Sequence, residues 1–270
     1  MEETRPNSII QVRGFRAEYD GNLVLKDVNF EVQRGEVFLI IGGSGCGKST
    51  LLKHMIGLYE PVAGEILIEG KDMASATGKQ RTKLLTEIGV MYQSGALFGS
   101  MTVRENVRLP LDEYTDLPLE AKERLVAMKL DLVDLLPAAD KLPSELSGGM
   151  QKRAGIARAL ALDPNVLFLD EPSAGLDPIT SAGLDNLIRS LSRNLGMTCV
   201  VVSHELPSIF AIADRLIFLD KRVKTITATG TPQDLLENSP DPYVRQFLRR
   251  EAKGDSTPDD FSTAMPQTSR

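Results

Sequence analysis

Apolar and polar residues alternate over residues 8–16 and again over 23–33, the two-residue period of a strand with one face buried. A turn at Asp20-Gly21-Asn22 joins them. The pattern then changes. Val37-Phe38-Leu39-Ile40-Ile41 is apolar throughout, which predicts a strand over 36–41 buried on both faces. A glycine-rich loop follows, then a helix containing Leu51-Leu52-Lys53-His54-Met55-Ile56 and ending at about Leu58. Residues 64–70 read as a short strand between glycines, 79–85 as a mixed segment, and Ile88-Gly89-Val90-Met91-Tyr92 as a strand closed by Gln93. Residues 94–98 are a loop. Residues 102–109 form a short helix with Thr102 as N-cap and Glu105 three positions on, a capping box. Pro110, Pro118 and Pro137 bracket a helix-rich stretch, in which Leu125, Met128, Leu132 and Leu135 form a stripe predicted to face the core. Beyond it, residues 166–169, 179–194 and 198–202 alternate strand, helix, strand, as a parallel α/β sheet requires. Residues 241–250 read as helix, and 251–270, rich in Asp, Ser, Thr and Pro, as a flexible tail. There is no internal repeat.

Composition narrows the picture. With 270 residues and 42% hydrophobic residues, the chain can bury a sizeable core. A net charge of −6 argues against a nucleic-acid-binding surface, and nucleic acid is not an expected partner. Two cysteines, Cys46 and Cys199, are too few for a disulfide framework and fit a reduced, cytosolic compartment. The first residues lack a basic-then-apolar secretory pattern. No apolar run approaches the roughly 20 residues of a spanning helix, so work at a membrane would need a partner to hold the chain there.

The glycine-rich loop carries the first candidate chemistry. Gly42-Gly43-Ser44-Gly45-Cys46-Gly47-Lys48-Ser49-Thr50 lies between a predicted strand and a predicted helix, the context in which G-x-x-x-x-G-K-[ST] is a phosphate site. Glycines let consecutive backbone N–H groups turn inward around anionic oxygens, and the helix adds its positive end. Lys48 would reach the β- and γ-phosphates and the Ser49 hydroxyl would ligate Mg²⁺. Val166-Leu167-Phe168-Leu169-Asp170-Glu171 is an apolar strand ending in two acids, placing Asp170 to hold a metal ion and Glu171 to polarise an attacking water. Ser147, Gly148 and Gly149 open a helix, a second place where backbone can approach a phosphate. Tyr19, at the first turn, could stack on an adenine ring or be an ordinary strand-end tyrosine. His54 reads as structural.

Together these motifs resemble the nucleotide-binding subunits of ATP-binding cassette (ABC) transporters, over roughly residues 8–235. The loop at Gly42 matches Walker A, Gln93 the Q-loop glutamine, Leu146-Ser147-Gly148-Gly149-Met150 the signature, Asp170-Glu171 the end of Walker B, Ser173-Ala174-Gly175-Leu176-Asp177 the D-loop, and His204 the switch histidine. Met150 departs from the family's usual glutamine. The resemblance implies an α/β P-loop fold with a mixed sheet core, an antiparallel β subdomain and an α-helical subdomain at about 94–160. The catalytic domain would span 8–250, after an N-terminal extension of residues 1–7. It also implies ATP and Mg²⁺ as ligands, with Tyr19 on the adenine and Lys48, Gln93, Glu171 and His204 as catalytic residues. Ser49, Gln93 and Asp170 would surround the metal. Two chains would pair head to tail, each supplying Ser147, Gly148 and Gly149 to the other's nucleotide.

Three stretches are similar to a narrower group, the ATPases of Mla-type phospholipid-trafficking transporters: residues 93–98, 142–150 and 238–248. Met150 suits that group. The similarity implies an ATPase driving phospholipids between inner and outer membranes to maintain outer-membrane asymmetry. Its partners would be an MlaE-like permease dimer, an MlaD-like lipid-binding ring and an MlaB-like STAS-domain protein. It would sit peripherally on the cytoplasmic face of the inner membrane. The tail, with Phe261 and Met265 among acids, is expected to pack on a neighbouring ATPase or the STAS partner. The alternative is a cassette ATPase for another small substrate such as amino acids. Soluble cassette proteins of translation or DNA repair usually carry tandem cassettes, coiled-coil insertions or basic arms, which this chain lacks.

Overall fold

The structure, a computed structural model, describes residues 7–251. The expected N-terminal extension (apart from Asn7) and the tail with its docking role therefore lie outside the described residues. The chain begins with a long hairpin, β1 (Ser8–Tyr19) and β2 (Asn22–Gln33), and continues through β3 (Val37–Gly42), α1 (Lys48–Met55), β4 (Ala63–Ile68) and β5 (Lys71–Asp72). Next come α2 (Gly78–Thr86), β6 (Ile88–Met91), α3 (Val103–Tyr114), α4 (Leu119–Leu132) and α5 (Gly148–Ala159). Then β7 (Val166–Asp170), α6 (Pro178–Leu195), β8 (Thr198–Val202), α7 (Leu206–Ile212), β9 (Arg215–Asp220), β10 (Thr225–Gly230), α8 (Pro232–Asn238) and α9 (Pro242–Arg249) complete it.

The strands form two sheets. One has four strands in the order β2-β1-β4-β5, all antiparallel. The other has six, in the order β10-β9-β3-β8-β7-β6, parallel except for the antiparallel edge strand β10. The mixed sheet, the antiparallel subdomain and the helical subdomain expected from the sequence are all present. Period-two alternation explains why the central sheet has apolar residues throughout. On β3, Val37, Leu39 and Ile41 join one core with α3 to α6, while Phe38 and Ile40 join another with the antiparallel sheet and α1. Leu167 and Leu169 against Val166 and Phe168 on β7 repeat the division.

The helical subdomain corrects two expectations. Pro110 does not end a helix; it lies inside α3, which continues to Tyr114. Proline there costs one N–H bond, but the helix is held at its start by the predicted capping box: Glu105 N–H donates to Thr102 Oγ1 (3.2 Å) and Thr102 N–H to Glu105 Oε2 (2.7 Å). The expected stripe is met in part. Leu135 is buried and Leu125 and Leu132 are half-buried against the same core, but Met128 is 64% exposed, and Val126, Leu130 and, just beyond the helix, Val133 are buried where the stripe did not place them. Two apolar stripes overlap in this sequence, and ion pairs to α3 select between them. Glu123 meets Arg104 (3.2 Å) and Arg108 (2.5 Å), and Lys122 meets Asp112 (3.1 Å). Those pairs fix the rotation of α4 and leave Met128 outward.

Candidate functional site

Parallel strands end at one edge of the sheet, where ligands of open α/β folds gather. β3 delivers the loop at Gly42, β7 delivers Asp170, and β8 leads to His204. At Gly42 a side chain is impossible: φ is +145° and a Cβ would stand 2.3 Å from the Leu219 carbonyl. Gly47, at φ +101°, precedes α1, whose N-terminus has no side-chain cap and no acid in its first turn. Its dipole is left available to an anion. Lys48 Nζ folds back onto the carbonyls of Gly42 (2.9 Å) and Gly43 (3.3 Å), so it stands over the loop. The recess there is lined by Val24 and by Gly45 through Thr50. Cys46 is buried beneath the loop, and burial pushes its thiol pKa up. Only its backbone is available to a phosphate, and its thiol is a poor target for alkylation.

Asp170 ends β7, paired with Val202 of β8. Burial, with the neighbouring Glu171 charge, pushes its carboxyl pKa up, while Lys53, Lys152 and Lys48 act in the opposite direction. Its Oδ1 is buried without a hydrogen-bond partner. Glu171 is buried in left-handed backbone, φ +48°, and its N–H donates to Val202 O (2.9 Å). Glu171 Oε1 lies 2.8 Å from His204 Nδ1, and Oε2 is buried without a partner. A carboxylate only accepts, so His204 Nδ1 carries the hydrogen. Two buried carboxylate oxygens without donors call for a cation and a water. The residues present thus fit a divalent metal ion beside Asp170 and a water beside Glu171.

Gln93 and Asp170 line a neighbouring cleft of about 620 Å³, onto which Gly148 also opens. Ser147 caps α5, accepting from Met150 N–H (3.3 Å), and remains exposed to solvent. Gly149 is buried, where a Cβ would lie 2.3 Å from Thr180 Cγ2. Met150 packs against the core under the helical subdomain. Thus the structure gathers the loop at Gly42, Asp170, Glu171 and His204, and holds Ser147 away from the P-loop recess.

Tyr19 closes β1, 38% exposed, with its ring edge-on to Tyr59 (5.7 Å between centroids) and tilted against His54 (6.4 Å). His54 is buried, its Nδ1 2.8 Å from Thr50 O, and burial lowers its pKa. It joins α1 to the Tyr19 cluster, as its structural reading requires. Two residues were missed at the sequence level. Asn106, fully buried, accepts from Phe98 N–H (2.8 Å) and donates to the carbonyls of Phe98, Met101 and Thr102 (3.0–3.1 Å), closing the loop after Gln93. Lys152, on the buried face of α5, donates to the carbonyls of Gln93 and Glu171. A lysine one turn before Ile156 in an otherwise apolar stripe was the available signal.

Residues 25–174 match the ABC transporter family. The chain is 42% identical over 255 residues to the intermembrane phospholipid transport system ATP-binding protein MlaF of Escherichia coli K12, covering 94% of this chain and 93% of that one. It is 39% identical over 248 residues to the protein of the same name from Haemophilus influenzae, covering 92% of each. A Mycobacterium leprae protein described as a probable ribonucleotide transport ATP-binding protein is 39% identical over 239 residues, covering 88% of this chain and 68% of that one. Among solved structures, cbiO1 of Clostridium perfringens, part of an ABC transporter complex, superposes with a TM-score of 0.79 at 30% identity, covering 91% of this chain and 97% of that one. A dimeric ATP-binding cassette in a post-hydrolysis state with ADP and Pi gives 0.75 at 30% identity, covering 82% and 98%. Motifs, fold and relatives agree: the chain belongs to the ABC transporter family.

Proposed function

We propose that this chain is the ATP-hydrolysing subunit of a transporter that moves phospholipids between inner and outer membranes and so maintains outer-membrane lipid asymmetry. One observation carries the hydrolytic reading: the buried, unpartnered oxygens of Asp170 and Glu171 on the strand edge that carries the P-loop. The phospholipid reading rests on near-full-length similarity to proteins named for intermembrane phospholipid transport.

The roles follow from the geometry. Backbone N–H groups of Gly43 through Thr50 and the start of α1 bind the phosphates, and Lys48 leaves its two carbonyls to meet the β- and γ-oxygens. Ser49, Asp170 and Gln93 would hold Mg²⁺, which neutralises phosphate charge when bound. Glu171 Oε2 accepts the proton of the attacking water. His204 holds Oε1 and orients the carboxylate. Tyr19 stacks on the adenine. Phosphoryl transfer relies on placement and charge more than on covalent chemistry, so these few fixed groups suffice.

Each chain has half a site, and Ser147, Gly148 and Gly149 of a second copy close it in a C₂ dimer. Residues 8–250 would act as the catalytic domain, with residues 94–160 and Gln93 relaying nucleotide state to an MlaE-like permease pair. An MlaD-like ring and an MlaB-like STAS protein would complete the assembly on the cytoplasmic face of the inner membrane. Among the described residues no helix is long and apolar enough to cross a membrane, so the permease supplies the attachment. The test is to purify the chain with the membrane proteins it carries along, assay ATP hydrolysis, and identify bound small molecules by mass spectrometry. Phospholipid enriched over detergent controls is the expected result. Amino acids, or nucleotides other than ATP and ADP, bound in place of lipid would favour the other substrate reading, to which the mycobacterial relative points.

A further inference from the structure

Lys152 lies in a place a lysine seldom occupies. It is 7% exposed, on the buried face of α5. Lysines are almost never fully buried unless their charge is met. Here the ammonium donates to the backbone carbonyl of Gln93 and to that of Glu171 (3.3 Å). Burial lowers its pKa, and the charges of Asp170 and Glu171 act in the opposite direction.

What it holds gives the contact meaning. Glu171 is a non-glycine residue at φ +48°, strained backbone that persists only where its surroundings over-determine it. Four restraints act on that residue. Its N–H is fixed by Val202 O of β8 and its side chain by His204, while its carbonyl accepts from Ala174 N–H (3.2 Å) and from Lys152. The first three come from the central sheet and the segments that follow its strands. Only the fourth, Lys152, comes from α5, in the helical subdomain. Lys152 stands four positions after Gly148, one turn along the same helix, so it moves as a rigid unit with the Ser147–Gly149 start of α5. The same ammonium also holds Gln93, the last residue before the loop that leads into the helical subdomain.

We propose that Lys152 is a positioning residue that ties the start of α5 to the backbone of Glu171 and Gln93, so that engagement of that helix by a second chain's nucleotide sets the carboxylate of the first chain's own site. This rests on the reading of Glu171 as the base given above. Lys152 acts through Glu171 and need not touch nucleotide.

The test uses the full chain, as purified and in its membrane complex. ATP hydrolysis is measured against ATP concentration for wild type, Lys152→Met and Lys152→Arg, with thermal unfolding as the folding control. Methionine keeps an unbranched stem and removes the donors; arginine restores a cation with donors. The expected result is a fall in kcat of about ten- to a hundred-fold in Lys152→Met, the range a small misplacement of a reacting group produces, with KM for ATP within about two-fold. Lys152→Arg should recover most of the loss. An unchanged kcat in folded Lys152→Met overturns the proposal. So does a change in KM matching that in kcat, or an arginine variant as impaired as the methionine one, since either marks a purely structural role. If Lys152→Met does not fold, Lys152→Gln, neutral but polar, is read against the same criteria. Absence of hydrolysis by the wild-type complex would instead remove the proposed function, so the two failures are distinct.

Discussion

Residue by residue, the site is a set of polar groups held short of satisfaction. Glu171 is the clearest: strained backbone, one oxygen on His204, the other without a donor. Glu171→Gln keeps the shape and removes the base, so phosphate release should slow by about a hundred-fold or more, while an ATP-dependent dimer persists on size-exclusion chromatography. Near-normal turnover would take Glu171 out of that role. Asp185 is a second buried acid. Its Oδ2 accepts from Ser208 Oγ (2.9 Å), which reaches on to Ser173, and Oδ1 has no partner. Burial raises its pKa. A carboxyl whose folded pKa lies above its unfolded value favours folding most at low pH and loses that contribution as pH rises through the folded pKa. Asp185→Asn should therefore gain stability over wild type at neutral pH, and the gap should close as pH falls towards the ordinary carboxylate range. Denaturant titrations at several pH values check this, and a gap that does not narrow at low pH would count against it. The P-loop was legible because its chemistry lies in consecutive residues. Lys152 was not, because its two carbonyls lie 59 and 19 positions away and only the fold brings them together.

At the level of elements, local chemistry was legible and lateral choice was not. The capping box at Thr102 could be read directly, since both its hydrogen bonds close within one turn. Thr102→Ala should cost about 1 kcal/mol in a urea denaturation experiment, the usual worth of an N-cap. A change of a few tenths would mean that Asn106 alone holds the helix start. The central strands were legible too, as apolar runs that only a sheet covered on both faces can use. The face of α4 was not. Leu125, Met128, Leu132 and Leu135 have helical spacing, as do Val126, Leu130 and Val133. The choice rests on Arg104 and Arg108 of another helix. Pro110 misled for a related reason: a proline predicts a break, but a helix anchored on both sides can forgo one hydrogen bond.

In the whole molecule, Ser147 stands in solvent while the P-loop recess lies elsewhere on the chain. The proposed division of the site between copies makes complementation testable. Lys48→Ala alone and Ser147→Arg alone should each lose hydrolysis, since every site in either homodimer carries a defect. Mixed in equal amounts, half of the dimers pair one of each and regain one sound site of two. Activity should return to about a quarter of the wild-type rate in a phosphate-release assay. No recovery after confirmed subunit exchange would argue that each chain builds its site alone. The resemblance extends to this scale, because the D-loop, signature and histidine imply a shared assembly.

The edge-on contact of Tyr19 with Tyr59 has an optical consequence. The chain has no tryptophan and five tyrosines, so its ultraviolet emission is dim and unassigned. Tyr19→Trp would place one bright, red-shifted fluorophore at a half-exposed position against His54 of α1, where the proposed adenine contact lies. An adenine stacking on the indole should quench that emission, and GTP or inorganic phosphate should do so less. Titrating ATP into this variant would then report occupancy in real time, separately from hydrolysis. Emission indifferent to ATP at concentrations that sustain turnover would place the base somewhere else.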